Sequence, residues 1–309
     1  MTVLSFQVRS SACLLAATLS FSALTSGCAD NAEQSATAPE TVETTNSDVT
    51  VPISPVTVTV DNPGDEPREV LAPHPVPGLT QQVLLRTTNQ ITQTINQQAD
   101  QDFSAPALSI PLTAAATDSG IDLTIGKMTT TDTTLAADVG PAEGSHAGLL
   151  TNDSGAITAL RLSPAPEAAD AVRAAIEQAF YQAVYSAVSF PVEPIGVGAM
   201  WTLHRQVPGG VPLDQVVNAT LLERDGDRLV IAIVVHQTPK SAEWDLPNNA
   251  GMLNIDGYVM QGSGTLTIDL GLPLPVAGTI VIGGDQTYTD PHSETTLKQS
   301  TGNIVQWGG

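Results

Sequence analysis

The stretch Pro164–Val188, PAPEAADAVRAAIEQAFYQAVYSAV, decides the fold, because it is where the hydrophobic period of the chain changes. Val172, Ile176, Phe180, Val184 and Val188 recur at helical spacing, with Ala179, Ala183 and Ala187 beside them. That spacing lays one apolar stripe along one face of a helix. Ser163 is placed to cap its start, Pro164 suits the first helical position, and Glu167 and Asp170 favour the positive end of the dipole. Pro191 and Pro194 stop it. The pattern predicts a helix over about 164–189, with Phe180 at the centre of the stripe and Gln182 off it. Ala183 is small, mid-helix and on the stripe, so it is the position where a ligand would find room.

On either side of this segment the period is two. Val56, Val58 and Val60 alternate with threonines, and Asn62-Pro63-Gly64-Asp65 is turn chemistry. From Thr80 to Gln97, Val83, Leu85, Ile91 and Ile95 share one parity. Further strand-like stretches cover 104–113, 120–138, 145–151 and 156–162, with a hairpin turn at Asn152-Asp153-Ser154-Gly155. Asp225-Gly226 between Val216–Glu223 and Leu229–Val235 is a strong hairpin signal. Leu229–Val235 is apolar throughout, which predicts cover on both faces, one of them from the helix. Leu266, Ile268 and Leu270 alternate with polar residues, and Thr279–Ile282 returns after a Pro/Gly turn. Glu294–Trp307 starts polar on both parities, the pattern of an edge strand. About ten long strands, one central helix and no βαβ alternation predict an α+β, mostly β domain. Its expected form is a strongly curved, half-barrel-like antiparallel sheet packed on the helix, spanning residues 55–309.

The two cysteines of the chain are Cys13 and Cys28. Upstream of Cys28 lie Arg9, a short apolar stretch from Ala12 to Leu24, and the small pair Ser26-Gly27, which together read as an export signal over residues 1–27. The apolar stretch is too short to span a bilayer, which takes roughly 20 residues. The end of the signal resembles the lipobox of bacterial lipoproteins, although Thr25 stands where Leu is usual. The resemblance implies lipidation of Cys28. The alternative is an ordinary cleavage near Ala23 or Ala29. Residues 28–54 carry five acids, no base and no aromatic, and are expected to form a disordered tether.

The formal charge of −21 argues against nucleic acid and against electrostatic docking on anionic lipid. Membrane attachment is therefore expected through the Cys28 lipid alone, on the outer face of the cell membrane or in the periplasm. Aromatics make up 4% of the chain, so the core has to be built from Val, Leu, Ile and Ala.

Pro191-Val192-Glu193-Pro194-Ile195-Gly196-Val197-Gly198-Ala199-Met200-Trp201 is similar to a P-x-x-P-V-x-V-G-x-x-W segment. Pro63-Gly64-Asp65-Glu66-Pro67-Arg68, with Leu71 and Gly78, resembles a PG-x-EPR-x-x-L opening. Both segments resemble a family of uncharacterised bacterial secreted proteins and lipoproteins, for which no catalytic residue transfers. The Asp or Lys usual between Gly198 and Trp201, and before Gly196, is absent. In physical terms the first segment is a helix-to-strand joint: prolines extend the exit, Gly196 and Gly198 allow close backbone approach, and Trp201 fills the junction. A ligand contact is the other reading of Trp201. The element list as a whole resembles lipid-carrying half-barrel lipoproteins.

Catalytic signals are sparse. His74, His146, His204, His236 and His292 are scattered, and no cysteine remains after the signal for zinc. His204 and His236 have the spacing to meet across neighbouring strands. Gly262-Ser263-Gly264 lacks the strand-to-helix context of a nucleophile elbow, and Asp225-Gly226-Asp227 lacks the ligand run of a calcium loop. Glu243-Trp244-Asp245 is a candidate exposed loop. No enzyme, cofactor or metal site is expected. Two functions follow: a non-catalytic envelope binding or interaction module of unspecified ligand, or a carrier or sensor of an apolar ligand such as a lipid between helix and sheet. Protein partners are not legible.

Overall fold

In the computed structural model, residues 48–247 and 250–308 are described. The signal 1–27, Cys28 and the tether up to residue 47 lie outside them. The short early strands are β1 (Val49–Pro52), β2 (Thr57–Asn62), β4 (Gln101–Asp102), β6 (Gly120–Ile125) and β7 (Thr129–Thr130). The first half also holds the long strands β3 (Thr80–Ile95) and β5 (Ala105–Thr117), then β8 (His146–Thr151) and β9 (Ile157–Ser163). After helix α1 (Asp170–Tyr185) come β10 (Met200–Val207), β11 (Leu213–Asp225), β12 (Arg228–Pro239) and β13 (Glu243–Asp245). The chain ends with β14 (Met252–Tyr258), β15 (Met260–Asp269), β16 (Ala277–Thr289) and β17 (Thr296–Trp307).

Every pairing is antiparallel. The main ladder runs β1-β9-β8-β6-β5-β3-β17-β16-β15-β12-β11-β10-β2. β14 pairs with β16 and carries β13. The two ends of this ladder, β1 and β2, are consecutive in the chain. From Pro52 to Thr57 is at most about 17 Å of extended backbone. The link passes the end of α1, where the Ser54 amide lies 3.5 Å from the Tyr185 hydroxyl.

β1 shortens the expected tether. Val49 and Val51 flank Thr50 in the same period-two pattern as the later strands, and they pair with Leu162 and Leu160 of β9. The ordered chain therefore begins before residue 55.

The helix is shorter than its apolar pattern. Ser163 is the last residue of β9, Ala169 occupies the N-cap, and α1 ends at Tyr185. Pro164 precedes and Pro166 lies within a turn, closed by the Ala168 amide on Ala165 O, instead of opening the helix. The stripe itself is buried, with Val172, Ile176, Ala179, Phe180, Ala183 and Val184 in the main core. The helix lies against β3, β5, β9 and β17. Glu177 is exposed on its far side, and partial desolvation raises its carboxyl above the ordinary 4.5. A raised folded-state value favours the protonated fold. The stability tied to Glu177 is thus fully present below about pH 4.5 and lost as pH rises through the raised value. Glu177→Gln is expected to flatten that part of a plot of unfolding midpoint against pH.

β12 departs from the expectation of cover on both faces. Leu229, Ile231, Ile233 and Val235 point inward and are buried, while Val234 on the other parity is 44% exposed. Both faces of β12 are apolar, yet one layer covers only the inner one. The predicted strand 120–138 is also broken, into β6, β7 and a 3-10 turn at Leu135–Ala137. The hairpins fall where their turns predicted. Gly226 has φ +60° between β11 and β12, and Asn152 Oδ1 accepts from the amides of Ser154 and Ala156 between β8 and β9.

The two family-like segments, far apart in sequence, pack against each other. The Asp65 amide donates to Val197 O at 2.8 Å, and Glu69 and Ile195 exchange backbone bonds of 3.1 and 2.9 Å. A Cβ on Gly196 would stand 1.8 Å from Asp65 O, whereas Gly198 has open space but φ +80°. One glycine serves the close approach and the other the left-handed turn. Trp201 is fully buried at this joint. Its indole N–H donates to Ser189 O at 3.0 Å, and its ring lies 6.3 Å from that of Phe190.

Candidate functional site

Strand parity sorts the interior. Along β17, Leu297, Val305 and Trp307 share one parity and are buried. Gln299, Thr301 and Asn303 have the same parity, so they face inward too, yet they are only half-buried. This parity of β17 is thus apolar and buried at its ends and polar and half-buried between them. The strand is held by β16 and β3. It was expected at an edge; its two polar faces arise because the outer one meets solvent and the inner one lines a polar interior.

Register places similar residues around it. Gln299 pairs with Gln286 on β16 and with Gln93 on β3, and Asn303 pairs with Asn89. Across β15 and β12 the same level holds Met260, Gln237, Gln215 and Arg205. Glycines at 262 and 284 alternate on the β15–β16 wall with the buried side chains of Met260 and Ile282. Below lies the last turn of α1, with Tyr181, Gln182 and Tyr185. Beyond the glutamines lies a second apolar cluster of Trp244, Leu246, Leu253, Tyr288 and Leu297. Trp244, expected in an exposed loop, is buried there on β13, with its ring 5.1 Å from that of Tyr288.

The belt is internally bonded. Asn303 Oδ1 accepts from Asn89 at 2.6 Å and from Gln182 at 3.1 Å, which ties the helix to β17. Gln182 thus has a partner that helical spacing did not reveal. Gln299 Nε2 donates to Thr301, and Thr301 Oγ1 donates to Gln286 Oε1. On the other wall, Gln237 donates to Gln215, which donates to Tyr185 O at 3.0 Å. Arg205 is the one charged side chain among the buried described residues. It donates to Val184 O, to Tyr185 O at 2.6 Å and to Ala187 O at 2.9 Å. These are carbonyls at the end of the helix, where the dipole carries about half a negative charge. Burial lowers the guanidinium to about 10, so it stays cationic at neutral pH.

The belt is not saturated. Arg205 Nε, Gln182 Oε1 and Trp244 Nε1 are buried without partners. Tyr181 gives its hydroxyl to Pro208 O, and its ring stacks 4.6 Å from that of Tyr185. Tyr258, paired with Gln286, is half-buried, and desolvation pushes its phenol up to about 12, leaving it a donor. The arrangement offers neutral donors and acceptors but no nucleophile–base pair.

The residues singled out from sequence lie elsewhere. Phe180 and Ala183 are in the main core and Trp201 is in the joint. His204 and His236 both face outward but are separated by Val216 of β11, which puts them two strands or about 9.5 Å apart. His74 bonds Asp227 at 3.2 Å on the surface. Among the described residues no group of three His, Cys, Asp or Glu is placed to hold a metal ion, and no helix is long and apolar enough to cross a membrane. The sequence signal for the belt was the polar inner parity of Thr87, Asn89 and Gln93 on β3 and of Gln299, Thr301 and Asn303 on β17.

No family model and no curated protein matches the chain. Among solved structures, it is similar to in-vitro folded OmpT, an outer membrane protein of Vibrio cholerae in trimer form. That match covers 74% of this chain and all of the other, at 7% identity and a TM-score of 0.19, too low a likeness to carry an argument.

Proposed function

We propose that this chain is an exported envelope lipoprotein, anchored through Cys28, that works as a non-catalytic binding module. In this reading the sheet closes on itself as a barrel around α1, and the ligand site is the amide-lined end above the last helical turn. The observation that carries it is the half-buried polar belt inside an otherwise aliphatic interior. Buried polar groups are costly unless bonded, so a polar layer that meets solvent from within is an unusual choice for a mere core. The likeness to secreted proteins and lipoproteins in the Pro63–Arg68 and Pro191–Trp201 segments supports export.

The carrier of an apolar ligand between helix and sheet is the weaker reading. The helical stripe and the strand residues facing it are buried in one cluster, Ala183 included, which favours a filled core there.

One protein form tests both claims. Cys28→Ser, expressed in a bacterial host, is expected to leave the membrane fraction and lose acyl labelling. Unchanged partitioning would refute the anchor. Native mass spectrometry of the released form is expected to show a small non-covalent adduct. In the same background, Ala183→Phe should overpack the core, costing about 1 to 3 kcal/mol, and leave the adduct unchanged. A lipid-sized adduct displaced by a well-tolerated Ala183→Phe would establish the carrier instead. No adduct at all would count against a binding module.

A further inference from the structure

We infer that the ligand of the amide-lined chamber is a neutral polyhydroxylated molecule, a saccharide; this rests on the binding reading above and names its chemistry. The unpartnered atoms around the chamber are of both kinds. Arg205 Nε is a donor and Gln182 Oε1 an acceptor. A hydroxyl is both donor and acceptor, so a ligand rich in hydroxyls meets both needs where a carboxylate or an ammonium group meets one. The half-buried wall has the same dual character, since each side-chain amide of Gln237, Gln299 and Asn303 both donates and accepts.

Charge excludes the ionic alternatives. Arg205, the buried cation, already faces three carbonyls at the negative end of α1, so it presents little uncompensated field to an anion. The chain as a whole carries −21 and repels anions at long range. No carboxylate is among the buried described residues to receive a cation. Aromatic rings complete the set. Tyr181 and Tyr258 are half-buried at the border of the chamber, and such rings give an apolar face to the C–H side of a sugar while their hydroxyls stay polar.

The test uses the soluble Cys28→Ser protein titrated with glucose, maltose, cellobiose and N,N′-diacetylchitobiose, and with citrate and inorganic phosphate as anionic probes. Tryptophan fluorescence and the unfolding midpoint are read at each addition. A saturable change with at least one saccharide is expected, with Trp244→Phe reducing the fluorescence signal. Gln237→Leu is expected to weaken that affinity about tenfold or more, as the loss of a buried hydrogen-bond partner does. Glu177→Gln, on the exposed side of α1 and outside the chamber, is the control for folding and should bind the same saccharide unchanged. Binding of citrate or phosphate in place of sugars would overturn the saccharide inference and leave the binding module standing. The same holds for a mass-spectrometric adduct that no saccharide competes away. No adduct and no response to any probe, with Gln237→Leu more stable than wild type, would overturn both.

Discussion

Arg205→Ala is expected to lower the stability of the fold by about 1 to 3 kcal/mol, because it leaves the Ala187 carbonyl at the helix end without its donor. The guanidinium serves Val184, Tyr185 and Ala187 at the end of α1. Tyr185 O keeps a second donor in Gln215 and Val184 O keeps the Ala187 amide at 3.2 Å, but Ala187 O loses its donor. The residue is also packed against the Tyr185 ring, 5.7 Å from its centroid, so truncation removes a contact as well as a charge. Arg205→Lys should fall between wild type and Ala, since an ammonium group keeps the charge but lacks the planar fork. Urea denaturation of the three proteins measures this directly. A wild-type midpoint for Arg205→Ala would mean that water reaches those carbonyls and that the helix end is not sealed.

Phe180→Ala is expected to cost about 3 to 5 kcal/mol. Phe180 is 2% exposed at the centre of the helical stripe, and a cavity there cannot collapse easily when strands hold its walls. Total stability is typically about 5 to 15 kcal/mol, and no cysteine follows Cys28 to form a bridge, so this one change removes a large share. Glu177→Gln on the exposed side is the matched control and should leave the midpoint at neutral pH unchanged or slightly raised, since it removes a partly desolvated charge. Gln182→Ala is no longer a silent control. Its bond to Asn303 makes a loss of about 1 kcal/mol the expected result. Equal midpoints for Phe180→Ala and Glu177→Gln would mean that the helix presents a different face to the core.

Local pattern carried far in this chain. The apolar stripe of α1, the Asp225-Gly226 hairpin and the alternation of β2 and β15 each follow from neighbours within a few residues, where helix and strand periods differ sharply. The joint at Pro191–Trp201 was legible for the same reason, since proline, glycine and a large aromatic each have a narrow set of backbone and packing roles. The candidate site was not legible in this way. Polar residues on the inner parity of β17 look the same in sequence as polar residues on an edge strand. Only the ladder, which places β3 on one side of β17 and β16 on the other, shows that β17 is not an edge.

The sequence by itself determined the type of most long elements, the predicted strand 120–138 excepted, the buried face of the helix and the antiparallel, one-helix composition of the domain. These depend on period and turn chemistry, which act over one turn or one hairpin. Tertiary structure alone decided that Val49–Val51 belongs to the sheet, that β1 and β2 sit at its two ends, and that Trp244 is buried. It also decided that amides from β3, β11, β12, β16 and β17 share one interior level with Arg205. Each of these depends on which distant strand supplies the neighbour. Side-chain chemistry says what a residue needs from its surroundings, and the register of strands far apart in the chain determines what it receives.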